Sequence, residues 1–169
     1  MRLPRPLRSL LVAALVCGAA TSGWASDPEI IVQRLCDQAA PRKVYLTRLG
    51  DEVVWSDSAL MERAVDLPPM LAKFLSEKAV ANPAILKVLQ DLDDLKDRGS
   101  YRPSLLKRIA PGDTGCVATD GVVQAKINCV YLDYLRLRYP RLDVRVKAAL
   151  DPVLFLAGKK LVAAVMPLR

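Results

Sequence analysis

Histidine is missing altogether from the 169 residues. With it go the commonest general base and every Ser-His-Asp or Cys-His nucleophile arrangement. The four cysteines show no C-x-x-C spacing, which together with the lack of histidine disfavours a metal site. G-x-S-x-G elbows, phosphate loops, zincin helices and dinucleotide fingerprints are absent too, so nothing points to the chemistry those motifs serve. No cofactor is expected. Carboxylate-only catalysis is left open by composition, because a pair such as Glu62 and Glu77 could face one another. Nothing singles that pair out among 18 acidic residues.

The amino-terminal residues carry Arg2, Arg5 and Arg8 without an acidic residue, then an apolar run from Leu10 to Ala20, then Gly23 and Ala25. A positive end, an apolar segment below the ~20 residues of a span, and small residues at a cleavage position make a secretory signal peptide. Residues 1–25 are therefore expected to be removed before Ser26, leaving 26–169 as a single domain in the periplasm or outside the cell. Cys17 follows Val16, where a lipoprotein signal wants a small residue, so lipidation is set aside. Nucleic acid is not an expected partner for an exported chain.

Residues 26–97 hold 9 basic and 13 acidic side chains, whereas residues 98–169 hold 13 basic and 5 acidic. Two halves that dock and present a mixed surface would give this asymmetry. So would a cationic face that steers an acidic partner. Arg136, Arg138, Arg141, Arg145 and Lys147 form the densest cationic cluster and are the candidate partner-binding residues, with a solvated helix end as the plainer reading. Asp91, Asp93, Asp94 and Asp97 lack the glycine and terminal glutamate of a calcium loop and read as an acidic helix face.

In an oxidising compartment one cysteine pair should be bonded. Cys116, preceded by Gly115, and Cys129 enclose a short segment with Asp120 and Gly121 that brings the ends together, and closing it is worth ~3 kcal/mol in the chain-entropy model. Cys36 is then a small buried apolar residue or a thiol for an intermolecular bond.

Asp27-Pro28-Glu29 caps a helix running to about Ala40. Val44–Leu49 and Glu52–Trp55 flank Gly50-Asp51 as a β-hairpin. Ser58–Val65 reads as a short helix, Pro68-Pro69 opens another, and Asn82-Pro83 begins a third that stops at Gly99. Ser100–Gly115 reads as a connector. Apolar residues on two sides of 122–139 suggest a sandwiched central helix. Residues 141–147 alternate like a strand but are read as helix, because a lone strand needs a partner. Asp151-Pro152 opens a last apolar segment through Met166.

The resulting expectation is a mainly α fold, an orthogonal bundle of five to seven helices with room for one small hairpin at 44–55. The expected function is non-enzymatic: a periplasmic protein-binding protein that occupies a partner in the cell envelope, as a toxin-neutralising immunity or inhibitor protein or an envelope-assembly subunit does. A small carboxylate-only envelope enzyme is the alternative from another class. A binder of the envelope lipid surface, using a helix at 152–166, is the third.

Overall fold

The computed structural model describes residues 27–109 and 115–169; the signal-peptide reading of 1–25 lies outside them. Helix α1 (Pro28–Ala39) starts as its sequence dictates, with the Asp27 carboxylate accepting the Glu29 N–H at 2.9 Å and proline in the first turn. Strands β1 (Tyr45–Leu49) and β2 (Glu52–Ser56) form the hairpin, turning at Gly50 with φ of +62°, a backbone conformation that glycine adopts without strain. Helices α2 (Pro69–Lys78) and α3 (Ala84–Lys96) follow their proline signals, and Asn82 Oδ1 accepts the Ala84 N–H ahead of α3.

The rest overturns the helical-bundle expectation. Ser58–Val65 contains strand β3 (Leu60–Ala64), a two-residue strand β4 (Val80–Ala81) follows α2, and the 100–115 connector contains β5 (Arg102–Arg108). Next come β6 (Gly115–Thr119) and β7 (Gln124–Asn128). Only the second half of the 122–139 segment is helical, as α4 (Cys129–Arg138). Residues 141–147 hold β8 (Asp143–Val146), and the last apolar segment is the pair β9 (Val153–Ala157) and β10 (Lys160–Val165). The helix that a lipid-surface role at 152–166 relied on is therefore not formed.

These strands make one ten-stranded sheet in the order β4-β1-β2-β3-β10-β9-β8-β5-β6-β7, antiparallel except for the β1–β4 pair. Every partner of β8, β9 and β10 is another part of the chain, which is how the apparently lone 141–147 strand finds its ladder: it pairs with β5 and β9. Helices α1, α2 and α4 cover one face, where Leu35, Leu71, Leu75, Leu132 and Leu135 pack on Trp55, Phe155 and Val165. On the opposite face α3 sets Ile85 and Leu89 against Val54, Leu154, Leu156 and Leu161. Strand β9 is thus buried on both sides, Val153 and Phe155 one way and Leu154 and Leu156 the other. A strand enclosed in this way reads as a continuous apolar run, with no polar alternation to separate it from a buried helix.

Beyond β10 the chain donates Met166 N–H to the Ala59 carbonyl at 2.7 Å and Leu168 N–H to that of Lys126 at 2.6 Å. A tail that leaves β10 and reaches β7, five places away in the ladder, requires the β10-to-β7 part of the sheet to coil. Helix α4 packs on α1 and on β6 and β7, and its start is tied by the Cys116–Cys129 disulfide to β6. That bond is the one expected from spacing. Its Tyr131, Leu132, Tyr134 and Leu135 are all buried, so the reading of this stretch as central to the core holds for the helical half. Cys36 is buried on α1, and burial followed by the adjacent Asp37 charge raises its thiol pKa.

Candidate functional site

Two acidic residues, Asp57 and Glu62, have no exposed surface. Burying a carboxyl group is costly unless it is hydrogen-bonded, and both are. Asp57 sits in the β2–β3 turn, where Oδ1 accepts the N–H groups of Ala59 and Leu60 at 2.9 and 2.7 Å and Oδ2 accepts the Tyr131 hydroxyl at 2.7 Å. The turn needs this support, because Ser58 adopts φ of +74°, which costs a non-glycine residue about 1–2 kcal/mol. Changing Tyr131 to Phe leaves Oδ2 short of a donor in the interior. A loss of ~1–3 kcal/mol in urea unfolding is expected, with the near-ultraviolet spectrum otherwise native.

Glu62 lies on β3 between Leu60 and Ala64, facing α4. Its Oε2 accepts Trp55 Nε1–H and the Tyr134 hydroxyl, both at 2.7 Å, and its Oε1 accepts the Tyr139 hydroxyl at 3.1 Å. Arg138 Nε stands 3.7 Å from Oε1. Burial raises the Glu62 pKa against the opposing pull of Tyr134, Trp55, Arg138 and Tyr139. Burial and the Glu62 charge likewise push the Tyr134 and Tyr139 hydroxyls well above their ordinary range. The network joins strand to helix through donors from β2, α4 and the residue after α4. A raised carboxyl pKa is a mark of catalytic acids, but as packed Glu62 presents nothing for a substrate to touch. Glu77, its partner in the carboxylate-pair reading, is exposed on α2.

Outward from Glu62, a crevice of about 380 Å³ opens between the end of β3, the last turn of α4 and the start of β10. Arg63, Arg138 and Lys160 bring cations to it from three elements, with Glu52 and Asp66 as their carboxylates. Arg63 Nε meets Glu52 at 2.5 Å, and Lys160 meets the other oxygen of the same carboxylate. These two cations hold the Glu52 pKa below the usual carboxylate range, Lys160 contributing most. Arg138 Nη2 donates to the Asp66 carbonyl and to its Oδ1 at 3.2 Å.

The five cations singled out by sequence do not converge. Arg138 turns into this crevice, Arg145 crosses to the carbonyl of Lys96 and to Asp97 at the end of α3, and Lys147 pairs with Asp151 at 3.6 Å. Arg136 and Arg141 are exposed. The acidic stretch is on α3 as expected, with Lys87 reaching Asp91 and Lys96 reaching Asp93 and Asp97.

A second surface was not legible as such. Side chains alternate across a strand, so the β5–β6–β7 register places Leu105, Thr119 and Gln124 in one cross-strand row and Lys107, Val117 and Lys126 in the next, all on the face away from the α4 core. Leu105 is 68 % exposed and both lysines are exposed. Helix α3 packs on β1, β2 and β10 instead. Among the described residues these two rows hold no carboxylate.

Compared with known proteins, the chain matches no protein-family model, no curated protein and no solved structure.

Proposed function

We propose that this is a non-enzymatic, exported protein-binding protein of the cell envelope that occupies an acidic protein partner through the outer face of β5–β6–β7. The observation carrying it is that face: Val117 set between Lys107 and Lys126, with exposed Leu105 in the adjoining row, and, among the described residues, no helix over these rows and no carboxylate in them. Exposed apolar area rimmed by one sign of charge suits contact with a complementary partner. A toxin-neutralising role and an envelope-assembly role both use such a surface. The cationic excess of residues 98–169 supports the sign of the partner.

The test is capture from envelope extract by the purified protein, compared with the Lys107→Glu/Lys126→Glu variant and with Arg136→Glu/Arg141→Glu as a control for general basicity. The captured partner should have an acidic surface, its affinity should fall about tenfold or more with the two lysine reversals, and binding should weaken steeply with salt. Capture that survives the lysine reversals, or self-association through this face in place of a partner, would sink the proposal.

A further inference from the structure

Independently of the sheet face, the crevice beside Glu62 has the makings of a ligand site. Its charge arrangement is uneven. Glu52 is shared by Arg63 and Lys160, so one carboxylate answers two cations and a unit of positive charge is left over on that wall. On the facing wall Arg138 is paired with two carboxyl groups of opposite character. Glu62 is interior, 3.7 Å from Arg138 Nε, and already engaged by Trp55, Tyr134 and Tyr139. Asp66 sits in the connector after β3 with 86 % of its side chain exposed. Water and salt compete with an ion pair of the second kind, which contributes little to stability.

The cations themselves are ordered before any ligand arrives. The Arg138 side chain is only 16 % exposed and the Arg63 side chain 23 %. Both are therefore held against the fold rather than sampling solvent, which lowers the entropy lost when they engage a ligand. Arginine's planar fork also matches a planar carboxylate. Val162 and Ala64 supply an apolar lining, and the volume of about 380 Å³ falls in the range of small-molecule sites.

We propose that the crevice binds a small organic carboxylate, which displaces the Asp66 side chain from Arg138 and faces Arg63 and Lys160. Asp66 is then the internal surrogate for the ligand, seated where an exposed carboxylate can leave at little cost. The site needs no change in the Glu62 network, which keeps Arg138 in place.

Succinate, inorganic phosphate and sodium chloride, each titrated at constant ionic strength into the purified protein, separate the outcomes by calorimetry and thermal shift. Succinate should bind saturably. The Asp66→Asn variant should bind it more tightly, by about two- to fivefold, since a competing exposed ion pair is removed. Arg63→Gln with Lys160→Gln should weaken binding by at least about tenfold, each lost charge-assisted contact being worth more than a neutral one. Should that double variant fold poorly, Asp66→Asn decides the matter, because its side chain is exposed. The proposal is overturned if succinate acts only as sodium chloride does, if phosphate saturates and succinate does not, or if Asp66→Asn leaves the affinity unchanged.

Discussion

Glu62→Ala is expected to lower the unfolding free energy by ~3–5 kcal/mol, as removal of one member of a buried charged network typically does. Trp55 Nε1–H and the Tyr134 and Tyr139 hydroxyls would lose their shared acceptor, and Arg138 would lose its interior counter-charge. A domain whose whole stability is on the order of 5–15 kcal/mol cannot absorb that easily. Urea titration followed by tryptophan fluorescence would read it, since Trp55 reports on the site directly. Glu62→Gln keeps the shape and one acceptor oxygen, and should cost clearly less. A Glu62→Ala protein as stable as its parent would show that the network is not holding β3 to α4.

The pH dependence of this pair of proteins carries a sign. In the folded state the Glu62 pKa is raised above its ordinary value of 4.5. The folded protein therefore keeps a proton that the unfolded chain has already released just above that pH. Stability from this group is fully present below the unfolded value and falls as pH rises through the folded one. Glu62→Gln cannot titrate there. Its stability should lose less across that window, so the gap between the two proteins should narrow as pH rises.

Breaking the Cys116–Cys129 bond is the second large effect. Its two ends are 13 residues apart and enclose the β6–β7 hairpin. In the chain-entropy model releasing a loop of that size costs ~3 kcal/mol, because the unfolded chain regains freedom. For a domain of this length that corresponds to a fall of about 6–12 °C in Tm. The Cys116→Ala/Cys129→Ala variant should show it without reductant, and the parent should show it on adding reductant. Cys36 is buried and unpaired, so a Cys36→Ala control should not respond to reductant differently from the parent. Hydrogen exchange should quicken first at the start of α4 and along β6, the two segments the bond joins. A melting temperature indifferent to reductant would contradict this account.

The route from sequence to site was uneven for reasons that particular residues make plain. Trp55, Tyr131 and Tyr134 sit in apolar runs, and a buried aromatic with a polar tip asks for a partner inside. Nothing local in the sequence says which acceptor that is. Glu62 was hidden by the choice of period. Read as a helix, 58–65 leaves Glu62 free to point at solvent. Read as a strand, Leu60, Glu62 and Ala64 share one face, and the glutamate must be interior. The cluster at 136–147 looked continuous along the chain, yet α4 and β8 carry its members to different sides of the sheet.

What the chain determines by itself is local: the caps and prolines that start α1, α2 and α3, the Gly50 turn, the short loop that lets Cys116 meet Cys129, and the cationic excess of the second half. Each but the charge excess, which is composition alone, rests on contacts between residues near one another in sequence. Which apolar runs became strands was decided only by the tertiary structure, because β3, β5, β8 and β10 each have a ladder with a distant partner and β9 is enclosed on both faces. The crevice and the uncovered sheet face belong to the same class. They arise where long-range pairing ends, so no local pattern encodes them.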